Sequence, residues 1–249
     1  MFDSNFNKMK NTFRIISILA FSLNFSFVNA QTVQGVLQTA NSFLNGAGKN
    51  VTQEEAIKGL REALTVGVKN SASKASVTDG FFKNNLIKIP FPPEAKEMKS
   101  RLESLGMKPK IDEFVKTLNR AAEKAAKDAA PIFINAITSM SLTDGINIIK
   151  GGDGSATSYL NQKTSAELKA KFLPVVKNAL AAVQITKYWN PLMSKYNKIP
   201  LVTKVNPNLE DYVTIKAMEG LFKLIAQEET KIRKDPASRV SELLKKVFG

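Results

Sequence analysis

The chain contains neither histidine nor cysteine. That removes the usual general base, the commonest zinc ligand, and serine- or cysteine-triad catalysis at once. Carboxylates, lysine and tyrosine are left to do any chemistry. Glu228-Glu229 is the strong acidic pair in a helical pattern. Neighbours at i and i+1 on a helix point about 100° apart, so they cannot act as a dyad. They read as two exposed glutamates, or one buried and one exposed. No catalytic residue, metal ligand or cofactor is assigned from these residue types.

The stretch from Ile148 to Thr157, IIKGGDGSAT, has the composition of a loop that cradles phosphate or calcium. A P-loop needs lysine and a hydroxyl directly after its last glycine, whereas Ser155-Ala156 follow here and Asp153 would repel phosphate. As a calcium loop it offers Asp153, Ser155 and Thr157 at positions one, three and five. Ser158 then stands where glycine is required, and Thr164 where the bidentate acid should be. The glycines read instead as a helix stop, with Asp153 or Ser155 capping the next helix. Asp79-Gly80 and Asp144-Gly145 share the contexts VTDGFF and LTDGIN, but their flanks diverge at once, and caps and turns account for both.

Two aromatic groupings remain. Phe81, Phe82, Leu86, Ile87, Ile89 and Phe91 crowd a loop-like segment that also carries Lys83 and Lys88, and Tyr188, Trp189 and Tyr196 cluster around a second break. Such residues most often cover a core between helices. They can also line or lid an apolar cavity, or rest on a membrane surface with lysines at the headgroups. On that second reading Phe81, Phe82, Phe91, Tyr188 and Trp189 are the candidate ligand-lining residues.

The elements that must position these groups are helical almost throughout. Thr52 and Glu55 form a capping box ahead of Ile57, Leu60, Leu64 and Val68, a buried stripe at spacings of three and four. Gly59 and Gly67 in that helix imply close approach of a neighbour. Residues 78–93, TDGFFKNNLIKIPFPP, are the one long non-helical segment, because Pro90, Pro92 and Pro93 forbid helix until Pro93 can open one. A helix then runs to Leu105, stopped by Gly106. Pro109 opens a pattern reaching about Met140, with Pro131 kinking or dividing it. On its outer face Asp112–Lys116 and Glu123–Lys127 are expected as i,i+4 pairs.

Further along, Thr143-Asp144 should cap a short helix, and Thr164 with Glu167 another long one disturbed by Pro174. Asn208 or a neighbour should cap a helix from about Leu209 to Lys234, with Lys231, Arg233 and Lys234 meeting its C-terminal dipole. Asp235-Pro236 opens a last helix, whose stripe of Val240, Leu243, Leu244, Val247 and Phe248 predicts docking on the core. The expectation is an all-α, single-domain multi-helix bundle over residues 51–249, preceded by a flexible arm over 31–50.

Residues 1–30 read as a cleaved export signal. Lys8, Lys10 and Arg14 precede a mostly apolar run from Ile15 to Val28, and Val28-Asn29-Ala30 places small residues where a signal peptidase reads. The run falls short of the roughly 20 residues a spanning helix needs. Cleavage would leave Gln31 first, in the periplasm or outside the cell, and no later segment reads as a membrane span. The absence of cysteine excludes disulfides and a cysteine-linked lipid. The formal net charge of +14 gives the protein possible anionic neighbours such as phospholipid headgroups or lipopolysaccharide. Its lysines are scattered among glutamates, a pattern that first keeps a protein in solution, and a nucleic-acid partner is not expected.

TDGFFKNNLIKIPFPP, APIFINAITSMSLTDGINIIKGGDGSATSYLNQKT and LEDYVTIKAMEGLFKLIAQEETKIRKDPASRVSELLKKVFG occur in this order along the chain. Together they resemble, from about residue 50 to 249, the exported bacterial proteins catalogued as domain of unknown function 4197. The resemblance implies a helical envelope protein and brings no catalytic or ligand residues to transfer. Its relatives often carry a lipoprotein cysteine after the signal, where this chain has Gln31. The expected role is therefore non-catalytic: binding of a lipid or another apolar or anionic envelope component. The alternatives are a structural or protein-interaction role in the periplasm and a carboxylate-based hydrolase.

Overall fold

The computed structural model describes residues 52–182, 189, 190, 193, 194, 196–201, 204–206, 208–235 and 245. All of them fall in the second of two compact units, Asn50–Gly249. The signal and arm readings, Tyr188 and the stripe of the last helix lie outside the described residues. Seven α-helices occur among those described: α1 Gln53–Ser76, α2 Lys96–Ser104, α3 Lys108–Ala126, α4 Ala129–Thr138, α5 Leu142–Lys150, α6 Ser155–Ala182 and α7 Leu209–Lys234. No strand is found among them, so the fold is all-α.

Local signals set most of the boundaries. Thr52 and Glu55 form the capping box of α1, and Ile57, Leu60, Leu64 and Val68 are all buried. Gly67 lets α7 approach, with the Glu228 Cβ 3.4 Å from where its own Cβ would lie. A single 3-10 turn, Pro93–Ala95, leads into α2. Asn208 caps α7 through the Asp211 amide.

Three boundaries differ from expectation. The α3–α4 break falls at Lys127 and Asp128, upstream of Pro131, because a proline ring and its missing N–H act on the carbonyl four residues before it. The α5 cap is Ser141, with Asp144 as its reciprocal partner, two residues earlier than the Thr143-Asp144 cap implied. No boundary exists at Thr164, where α6 runs straight through. The Thr164 side chain is buried, and its hydroxyl donates to the Leu160 carbonyl one turn back. Pro174 is also absorbed: it sits on the exposed face, where water can satisfy the carbonyl it leaves free.

The buried residues of α6 are Ala156, Leu160, Thr164, Leu168, Phe172, Val176 and Leu180, one every fourth position. At about 100° per residue such a stripe turns around the helix by about 40° per step. The two ends of α6 therefore face different neighbours, and α6 packs against α3, α4, α5 and α7. Helix α7 in turn packs on α1 and α3, and Phe222 meets Phe133 of α4 edge-on at 5.6 Å between centroids. Helix α2 packs chiefly on α3 and the 3-10 turn, and its Lys99 lies beside Phe82 and Lys88 of the non-helical segment.

Candidate functional site

Residues 77–92 carry no helix; turns such as Lys83 N–H to the Asp79 carbonyl and Lys88 N–H to the Asn84 carbonyl pair some of their backbone groups, and others need partners from elsewhere. Two buried polar side chains on α3 supply these. Asn119 accepts from the Ile89 N–H and donates to the Ile89 carbonyl, both at 2.8 Å, as a neighbouring strand would. One turn on, the Glu123 carboxylate accepts from the Phe81 and Phe82 amides at 3.1 Å each. Arg120 clamps the arrangement, reaching Glu123 at 2.6 Å and Asp79 at 2.5 Å. Lys83, and then Arg120, hold the Asp79 carboxyl below the usual carboxylate range. The Tyr212 hydroxyl donates to the Pro90 carbonyl at 3.2 Å, and burial pushes that phenol well above its ordinary pKa, so it stays a donor.

These positions correct the expected surface pairs. Glu123 is buried and holds the segment rather than meeting Lys127, and Asp112 pairs backward with Lys108 at 2.6 Å. Asn119 and Glu123 sit four apart on the same inner face as the buried Ile111, Leu118 and Ala122. Polar residues at stripe positions, beside a proline-rich segment in need of hydrogen bonds, were the signal available in the sequence.

So held, the segment alternates. Ile87, Ile89 and Phe91 point inward, while Leu86, Lys88 and Pro90 are exposed. Between its outer face, α2 and α3 lies a groove of about 460 Å³. Phe82, Pro90, Phe91, Ile111 and Val115 make it apolar, and Lys88, Lys99 and Asp112 supply charge. The Lys88 ammonium stands 4.6 Å from the Phe82 ring centroid, a cation–π distance, with the Arg120 guanidinium 5.8 Å from the same ring. Behind the groove Phe91, Phe114 and Trp189 form a three-ring cluster with centroids 5.1 to 5.5 Å apart. The Trp189 indole N–H is buried without a hydrogen-bond partner.

The five sequence candidates therefore separate. Phe82 and Phe91 border the groove, and Trp189 backs it through Phe91. Phe81 does not border it: the ring is fully buried against the backbone of Gly220, where a Cβ would lie 2.7 Å from Phe81 Cε1. Tyr188 is outside the described residues. Lys99, Ile111 and Val115 come from helices that sequence periodicity does not place beside the segment.

The glycine-rich loop has an occupant of its own. Gly152 and Gly154 take positive φ of 74° and 84° and fold the chain back into α6. The first amides of α6, on Ala156 and Thr157, donate to the Glu229 carboxylate of α7 at 3.1 and 2.9 Å, and the Thr157 hydroxyl donates at 2.7 Å. Arg233 closes on Glu229 at 3.0 Å and reaches the Ile148 carbonyl, while Lys234 takes Asp153 at 2.5 Å. The cap expected from Asp153 or Ser155 thus comes from another helix, and the anion-binding end of α6 is filled from within the chain. Glu228 is buried too, against the expectation for this pair, and holds Lys74 at 2.6 Å and Lys231 at 3.2 Å. The two glutamates serve different neighbours of α7, Glu228 facing α1 and Glu229 the start of α6. No group of three or more acidic side chains able to hold a metal occurs among the described residues.

A family model described as protein of unknown function (DUF4197) matches residues 50–249. The chain belongs to that family. The match spans all seven helices, so the groove, the segment held by α3 and the filled glycine loop all lie within the DUF4197 region. No curated protein and no solved structure matches the chain. No single helix among the described residues is long and apolar enough to cross a membrane.

Proposed function

We propose that this DUF4197 protein is a non-catalytic binder of a single-chain anionic amphiphile, acting in the periplasm or outside the cell. The tail lies on Phe82, Phe91, Ile111 and Val115, and the acidic head meets Lys88 and Lys99. The observation that carries this reading is the groove itself. At about 460 Å³ it falls within the roughly 300–1,000 Å³ range of small-molecule sites, with an apolar lining and a few charged groups. The export-signal pattern at residues 1–30 supports the compartment. A carboxylate hydrolase needs two acids converging in a cleft. Asp112 is the one acid among the groove's lining residues, and Lys108 already engages it.

The test begins with mass spectrometry of the organic extract from protein purified out of its native envelope. It continues with titration of palmitate and lysophosphatidylglycerol while the emission of Trp189, the only tryptophan in the chain, is followed. A saturable response that weakens in Phe82→Ala and in Lys88→Glu supports the reading. A lipid-free extract from folded protein, with no saturable response, overturns it.

A further inference from the structure

The residues before α7 carry an apolar tip that the groove does not use. The Asn197 side chain clamps the base of this loop, donating to the Val205 carbonyl at 2.6 Å and accepting from the Val205 N–H at 2.8 Å. Val205 itself is buried in the core, so the base is anchored. Beyond the clamp stand Ile199, Pro200 and Leu201, all exposed, and Leu201 is 105% exposed, as open as a side chain can be. Leu201 also has φ of +66°, a region that non-glycine residues occupy only at a conformational cost. The loop thus holds a large apolar side chain outward against both solvation and backbone preference. Lys198 and Lys204 flank it, exposed, with no carboxylate in ion-pair range among the described residues.

We propose that this loop docks the protein on an anionic lipid bilayer, with Ile199 and Leu201 entering the headgroup boundary and Lys198 and Lys204 meeting lipid phosphates. Size decides for a lipid surface over a protein partner. Three apolar side chains on one turn are far below the roughly 1,200–2,000 Å² a stable protein interface buries, but they suit shallow insertion beside basic residues. Charge points the same way, since the chain carries +14 overall, of which Lys8, Lys10, Arg14 and Asp3 contribute a net +2 within residues 1–30, and cationic side chains are drawn to anionic leaflets. The inference rests on the loop alone and stands whether or not the groove binds an amphiphile.

The test is flotation of protein purified from its native envelope with phosphatidylglycerol–phosphatidylethanolamine vesicles, and separately with phosphatidylcholine vesicles. Comparison among variants sharing one N-terminus isolates the loop. The pair Ile199→Asn and Leu201→Asn removes the apolar tip, and asparagine is at ease at positive φ, so folding is preserved. Binding to the anionic vesicles should fall about tenfold or more in this variant, as expected for losing part of two buried side chains. Lys198→Glu with Lys204→Glu should fall at least as far. Lys124→Glu with Lys127→Glu makes the same charge change at the exposed C-terminal end of α3 and its cap, and should retain most of the binding. Wild-type protein that does not float with anionic vesicles overturns the proposal. So does an asparagine variant that floats as well as wild type, an equal loss in the α3 control, or lipid-free self-association that the asparagine variant abolishes. The Trp189 response to amphiphile should survive in the asparagine variant, which separates failure of the loop from failure of the groove.

Discussion

Replacing Glu123 with alanine tests how the groove wall is held. The carboxylate is 5% exposed, accepts the Phe81 and Phe82 amides at 3.1 Å each, and pairs with Arg120 at 2.6 Å. Alanine strands both amides, and a buried donor without a partner costs about 1–3 kcal/mol. The Phe82 amide is nearer water, and Arg120 is a third exposed and keeps Asp79, so their losses count for less. Together these give about 3–4 kcal/mol, a large share of the roughly 5–15 kcal/mol that holds a domain folded. At about 2–4 °C per kcal/mol for a chain of this size, Tm should fall by roughly 10 °C. Glu123→Gln keeps an acceptor for the amides and should cost only about 1–2 kcal/mol. Urea denaturation measures the total, and amide hydrogen exchange across residues 79–92 localises it, with Phe81 and Phe82 speeding up most. Because Phe82 and Lys88 stand on this segment, amphiphile binding should weaken in parallel. A loss below about 1 kcal/mol with unchanged exchange at Phe81 and Phe82 would refute the reasoning.

Three further outcomes follow from single contacts. Gly220→Ala drives a methyl to 2.7 Å from Phe81 Cε1 and 3.2 Å from Ile87 Cβ, and should lower the urea midpoint by the equivalent of about 1–3 kcal/mol. Ser141→Ala removes half of the α5 capping box and should cost about 1 kcal/mol. The Ser141 hydroxyl is also the main reason the Asp144 carboxyl lies below its usual range, so NMR titration of this variant should show that pKa rise. Burial alone would raise the Glu228 carboxyl, but Lys74, then Asn70 and Lys231, outweigh it and leave it below its ordinary value of 4.5. A depressed folded-state pKa stabilises above the unfolded value and loses that contribution as pH falls through the folded one. Unfolding followed from neutral pH downward should therefore steepen below about pH 4.5, and Glu228→Gln should flatten that limb. An unchanged acid limb in Glu228→Gln would argue that the Lys74–Glu228 contact contributes nothing.

The helices were legible because their causes are local. The Thr52–Glu55 box, the Asn208 cap and the stripe from Ile57 to Val68 each depend on residues within one or two turns, and each is present in the structure. Proline and turn residues likewise made the non-helical segment visible in advance. Where local reading failed, a side chain had a choice of partners. Thr164 could cap a new helix or bond back into an existing one, and its burial in the middle of α6 settled the choice. Glu123 could pair with Lys127 or turn inward, and the unmet amides of Phe81 and Phe82 drew it inward.

The sequence by itself determined the all-helical architecture, most of the caps, the position of the irregular segment and the absence of histidine and thiol chemistry. Periodicity, proline and composition act over a few residues or over the whole chain, and neither needs a partner's position. Tertiary structure alone decided which carboxylate answers which amide. Glu123 reaches back 42 residues to Phe81, and Glu229 reaches back 73 to Ala156. It also decided that Phe81 plugs the core while Phe82, one residue on, faces the groove with Lys88 and Lys99. A buried N–H must find an acceptor, but sequence separation places no limit on where that acceptor comes from.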